Sequence, residues 1–287
     1  MHEIVQTLVK VAASLLVPLL ALDVGLAVRA GQLRQELANP VLWRILLVAL
    51  VGVPALAILI AAALPLGPVA RGVIVLMAVS PGAPLMIEKG RSQGRLPLAV
   101  AAAVALTLAA IVTLPVELLI LNRMFPLHLH ASVPALVSNI LPKLLIPLVL
   151  GAALRGTWPK GADRLAPVVR GLFYVSLALV AIAALAVTWH ELGRLTPWVW
   201  LAMLMVTLGA AALGDFFGGR EPHERTTAAY AVVLGNPAVA IQVAALSYPS
   251  LKLAPVILAY VLLRAILVLP YAVVTRRRLE RLERPAA

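Results

Sequence analysis

The sequence predicts an all-α membrane protein of nine transmembrane helices, arranged as an inverted repeat with two discontinuous helices. Three observations lead there. Hydrophobic residues make up 62% of the 287, charged residues only 13%, and the mean hydropathy is +1.01. A soluble domain carries about 25% charged residues, so this surface cannot be kept wet. Nine apolar runs each have the roughly 20 residues that cross a bilayer. Two of those runs carry helix breakers well inside them, the pattern of interrupted helices in repeat transporters.

The same composition excludes a compact soluble enzyme, a disordered chain and a collagen-like fibre. The formal charge of +12 lies mostly in arginines between the apolar runs or at the C-terminus. They read as membrane-surface charge and topology signals, with the lipid bilayer rather than nucleic acid as partner. There is no cysteine, hence no disulfide framework, haem attachment or thiolate metal site. The first 30 residues lack a basic cluster before the apolar stretch and a clear cleavage site, so they read as a retained helix.

Taken in order, the runs are 6–28, 41–63, 67–87, 95–121, 132–154, 168–189, 196–217, 226–247 and 252–274. The first carries Asp23 just before Gly25. The second follows a basic stretch ending in Asn39 and Pro40. The third holds Pro81, Gly82 and Pro84. The fourth has Glu117 after Pro115, and the fifth has Lys143 near Asn139. The seventh ends with Asp215, the eighth contains Gly235, Asn236 and Pro237, and the ninth has Arg264 near its middle. The connections are too short for a soluble domain. The chain therefore reads as one transmembrane domain, 1–287. Its first repeat-like unit is 6–121, its second 132–274, and its basic tail 275–287. No run shows the dyad alternation of a membrane barrel.

Arginine and lysine counts set the orientation. With the C-terminus inside, the inside loops carry ten such residues, fifteen with the tail, against Arg123, Arg194 and Lys252 outside. The excess predicts a cytoplasmic C-terminus and an N-terminus outside, in a multi-pass plasma membrane protein of the bacterial inner-membrane type.

Backbone groups freed inside hydrocarbon cost several kcal/mol each. They survive only against protein, water or a ligand, and half-helix ends aim partial charges at what lies between them. The two breaks are therefore the candidate substrate site, although ordinary proline kinks give the same sequence pattern. Asn236 is the leading substrate-binding candidate, and its amide serves equally well as a cap for a half-helix. Ser80, Gly82, Gly235, Gln242 and Asn139 are the further candidates, with Pro81, Pro84 and Pro237 as the breaking residues. Charged side chains inside spans are costly and read as functional. Asp23, Glu117 and Asp215 are candidates for ion or proton coupling; Asp23 reads first as the structural partner of Lys143 or Arg264 or as a cap, with proton coupling and exposure at the interface as the alternatives. Those two cations either snorkel or attract an anionic substrate. His128 and His130 lack a third ligand, and Pro222-His223-Glu224-Arg225 lacks the second histidine of a zinc helix. No cofactor is expected.

At these segments the chain resembles the bile acid:sodium symporter family, within the bile/arsenite/riboflavin transporter superfamily. The resemblance rests on LALDVGLAV (Leu20 to Val28), ARGVIVLMAVSPGAP around the first break, LLIPLVLGAALRG in the fifth run, and RTTAAYAVVLGNPAVAI around the second. In the last of these Thr227, Asn236 and Ala240 stand at matching steps. It implies an all-helical carrier with a panel and a core, in which two unwound helices cross. It also implies a divergent member, lacking the family's first helix. The positions matching the family's sodium ligands are Met86, Ile87, Ala99, Ala103, Ala231 and Gly235, which offer no side-chain oxygen. Sodium coupling through the usual sites is therefore not expected. The function expected is secondary transport of a small organic anion by alternating access, without covalent chemistry. The alternatives are a non-transporting membrane sensor or binding protein and a membrane-embedded enzyme.

Overall fold

The computed structural model describes residues 2–80, 84–124, 133–235, 240 and 253–283, and every regular element among them is helical. Twelve helices follow one another. They are α1 (His2–Ala27), α2 (Ala30–Leu37), α3 (Pro40–Leu47), α4 (Val53–Ala63), α5 (Pro68–Ala78), α6 (Pro84–Ser92), α7 (Leu96–Met124), α8 (Val133–Thr157), α9 (Pro159–Leu192), α10 (Pro197–Phe217), α11 (Pro222–Val233) and α12 (Ala254–Glu283). Six of them, α3, α5, α6, α9, α10 and α11, begin on a proline. Its missing N–H costs nothing in a first turn, and its fixed φ suits a helix start.

Among the described residues, five stretches are long and apolar enough to cross a membrane: Thr7–Ala27, Pro40–Ala63, Pro159–Ala183, Pro197–Phe217 and Val256–Arg281. The expected runs at 95–121 and 132–154 lie within α7 and α8, which have 29 and 25 residues. The expected run at 67–87 is divided between α5 and α6. Of the run at 226–247, residues 226–235 and 240 are described, and α11 stops at Val233.

Three local features depart from simple rods. Pro40 to Ala63 is one rod with a π turn at Val48–Gly52 between α3 and α4. Pro54 has no N–H to give, and its ring would press on the carbonyl of Leu50; widening the preceding turn absorbs both effects. The basic stretch after α1 folds as the short polar helix α2. The apolar run of α12 continues without a break into the arginine-rich tail as far as Glu283.

The helices pack in two groups. α1 lies against α8 and α9, while α4, α5, α6, α7, α10 and α11 pack on one another, with α12 against α5, α9 and α10. The α1–α8 contact is backbone to backbone. A Cβ placed on Gly151 would fall 2.7 Å from the Leu22 carbonyl oxygen and 2.8 Å from the Leu26 nitrogen. Gly25 meets the Leu148 carbonyl in the same way. In a bilayer, where apolar side chains gain nothing by leaving lipid, close approach of this kind is what holds helices together. A similar contact joins α10 to α11, where a Cβ on Gly214 would fall 2.6 Å from the Ala229 Cα.

Gly151→Leu should therefore push α1 from α8. Overpacking costs about 1–3 kcal/mol, and here the obstacle is backbone. The thermal transition of the purified variant in detergent should drop clearly, whereas Gly171→Leu, at a position with open space around it, should leave the transition unchanged.

Candidate functional site

α5 stops where its run meets Pro81. The last intact turn is closed by Val79, whose N–H reaches the Val75 carbonyl at 2.9 Å. Ser80 is 1% exposed, and its hydroxyl donates to the Leu76 carbonyl at 2.8 Å. The chain resumes as helix at Pro84. α11 stops in the same manner: the Leu234 N–H bonds the Tyr230 carbonyl at 3.1 Å, and Gly235 has left the helix.

The two stops meet. A Cβ on Gly235 would lie 3.1 Å from the Met77 carbonyl oxygen, 3.3 Å from that of Ser80, and against Nη1 of Arg264. A Cβ at 235 would press on the far end of that flexible side chain, which can move aside, and would fit closely against the two carbonyls. The C-terminal ends of both helices bring partial negative charge to this point.

Arg264 comes from α12 and is 6% exposed. Its Nη2 donates to the Tyr260 hydroxyl at 3.2 Å, one turn earlier. The guanidinium also stacks over the Tyr260 ring, 4.2 Å from its centroid. Its Nε and Nη1 are buried and, among the described residues, have no hydrogen-bond partner. Among the described residues, no ion pair joins it to a carboxylate.

The positions that match the family's sodium ligands are apolar and buried. Met86, Ile87 and Ala99 are fully buried, and Ala103 and Ala231 are 2% exposed. These are the positions where the family resemblance would put ion-binding oxygens.

The remaining candidates divide. Ser80 and Gly235 stand at the meeting point, and Pro84 opens α6. Asn236, Gly82, Gln242, Pro81 and Pro237 lie outside the described residues. Asn139 and Glu117 belong to α8 and α7, but their side chains lie outside what is described. Asp23 is fully buried between α1 and α9. Its carboxylate accepts from Arg170 Nη2 at 3.1 Å and Nε at 3.2 Å. The expected structural partners were Lys143 or Arg264; the fork of Arg170 takes that role instead. Next to this pair, Tyr174 donates to Glu88 of α6 at 2.8 Å, a polar link between the two helix groups.

Asp215 ends α10 in a basic cluster, paired with Arg225 and, at 3.6 Å, with Arg278. Pro222 to Arg225 form the first turn of α11 rather than a loop. There Glu224 and Glu36 both bind Arg95, at 2.7 and 2.8 Å. Asn39 caps α3 through the Val41 N–H and donates to both carboxylates. Thr227 accepts the Arg95 N–H at 2.7 Å. These bonds pin the α2–α3, α6–α7 and α10–α11 connections to one another. Arg277, Arg278 and Arg281 line a cleft beside Pro222 at that same end. No group of three metal-ligating side chains occurs among the described residues.

The sequence profile of the Sodium Bile acid symporter family matches residues 14–192 of this chain. No curated protein matches it in sequence.

Breaking a buried pair by removing one partner costs about 3–5 kcal/mol, while replacing both by apolar groups is often neutral. Asp23→Ala should thus cause a large loss of thermal stability in detergent. Asp23→Leu combined with Arg170→Leu should recover most of it. Failure of the double variant to recover would give Asp23 a role beyond its pairing.

Proposed function

The chain belongs to the Sodium Bile acid symporter family, and from that premise we propose that this membrane transporter is a nine-span secondary carrier of a small organic anion. The observation that carries the proposal is the meeting of α5 and α11 at Gly235. Two helices that end inside the bundle, on each other, make sense energetically only around a site that a ligand or water occupies in turn. The segments around Ser80–Pro84 and Gly235–Pro237 form that site. The α4–α7 and α10–α12 group moves against α1, α8 and α9, opening the crossing to either side.

The cation that draws the anion in is part of the protein. Sodium is a hard cation and, like other hard cations, wants oxygen ligands. The side chains of Met86, Ile87, Ala99, Ala103 and Ala231 supply none, and Gly235 has no side chain. The usual sodium sites are therefore not used. Proton coupling at Asp23 would require release from Arg170. The carrier sits in a plasma membrane of the bacterial inner-membrane type, with the arginine-rich end of α12 in the cytoplasm and the N-terminus outside. The clustering of Arg95, Arg225, Arg278 and the α12 arginines at one end supports this orientation.

In proteoliposomes, uptake of an organic acid chosen by a thermal-shift screen should be nearly unchanged when choline replaces sodium. A steep sodium requirement would contradict the reading. Asn236→Ala should weaken binding of the same acid while membrane insertion and yield persist; unaltered affinity would confine Asn236 to capping.

A further inference from the structure

We propose that Arg264 is the built-in cation of the transport site: it takes the carboxylate of a monoanionic substrate and confines the carrier to exchanging one anion for another. The inference rests on the carrier reading above and adds the anchoring residue, the charge of the substrate and the mode of transport.

The argument begins with an accounting of buried charge. Asp23, Glu36, Glu224 and Arg264 are the charged side chains buried among the described residues. Asp23 is held by Arg170, and Glu36 and Glu224 by Arg95. Arg264 has only a neutral phenol, Tyr260. A guanidinium stays charged at any working pH, so the site cannot become neutral by losing a proton. Two N–H groups, at Nε and Nη1, are left without partners. Buried donors without partners are rare in folded proteins and call for an explanation. The C-terminal ends of α5 and α11 lower the cost of placing a cation here. They do not satisfy these donors, because the carbonyls at hand make no hydrogen bond with them.

An arginine fork presents parallel N–H groups that fit one carboxylate with two bonds. A bound carboxylate would satisfy the orphaned donors and cancel the charge, one negative against one positive. Gly235 lies against Nη1, and its lack of a side chain leaves the guanidinium end unobstructed by a Cβ. A dianion would leave a net negative charge beside the carbonyls of Met77 and Ser80, so the site favours a single carboxylate.

The mode of transport follows from permanence. The loaded site is neutral and can be closed off from water in mid-transit. The empty site would have to close around a charged guanidinium with unmet donors, which is costly in a low-dielectric interior. Return of the empty carrier is therefore slow, and the transporter swaps one carboxylate for another across the membrane.

The test uses the purified full chain in sodium-free choline chloride. The probes are acetate, lactate, pyruvate and benzoate, with acetamide, lactamide and benzamide as uncharged counterparts. Acids from this set should raise the thermal transition of the wild type and the amides should not. Arg264→Met should abolish the shift, and Arg264→Lys should weaken it. Without any acid, Arg264→Met should be as stable as the wild type or more so, because it removes a buried charge without a counter-charge. In liposomes loaded with a labelled acid that binds, efflux into medium containing the same unlabelled acid should be at least about tenfold faster than into acid-free medium. Equal shifts in wild type and Arg264→Met, no shift by any acid, or a marked loss of stability in acid-free Arg264→Met would each overturn the anchor. Equal efflux into both media would overturn the exchange mode while leaving a carrier. Binding with no efflux in either medium would remove the carrier reading, and the exchange mode with it.

Discussion

A helix that stops inside a bilayer must give its last carbonyls somewhere to go, and this constraint organises the structure. α5 stops at Ala78 and α11 at Val233. Neither end can face lipid, since each unmet backbone group there costs several kcal/mol. They face each other instead, meeting at Gly235. The surrounding helices serve this arrangement. α4, α7, α10 and α12 contribute buried alanine, valine, leucine and methionine side chains to the same core. α1 and α8 are joined backbone to backbone at Gly25 and Gly151.

Charge is placed with the same economy. Ion pairs near one end tie the helix connections together through Arg95, Glu36, Glu224 and Asn39, and through Asp215 with Arg225 and Arg278. A buried pair between α1 and α9, Asp23 with Arg170, fixes one helix group internally. Such pairs are weak sources of stability, yet losing one partner is expensive, so they act as registers for helix position. Arg264 stands outside this scheme. It is buried as deeply as the paired groups and sits where the two interrupted helices end. A stabilising role would call for a carboxylate beside it; the neighbours are a phenol and two helix ends.

Much of this architecture is legible in the amino-acid sequence because the bilayer imposes a simple length rule and proline has an unavoidable local effect. Pro81 and Pro84 interrupt an apolar run, and the helix stops at Ala78 and restarts at Pro84. Gly235 and Pro237 mark the second break, and α11 ends just before them. Gly25 and Gly151, the small residues of the segments that carry the family resemblance, are a helix contact. What is harder to read depends on pairing across distance. Asp23 and Arg170 are 147 residues apart, and nothing in their local sequence joins them; Lys143 and Arg264 look equally suitable until the helices are placed. Arg264 itself is visible as a cation inside a span. Its lack of an acidic partner and its position against Gly235 are properties of the assembled bundle. The π turn before Pro54 is different, because a proline signals disturbance without saying whether the helix will kink, break or widen.

The absence of cysteine from the sequence allows the central claim, that the interrupted ends of α5 and α11 abut, to be measured without background. Ser80→Cys and Gly235→Cys, introduced together and oxidised in native membranes, should form an intramolecular disulfide that protects both thiols from maleimide. Complete maleimide labelling of both positions after oxidation, in protein that inserts normally, would show that the two ends lie apart and that no shared site exists between them.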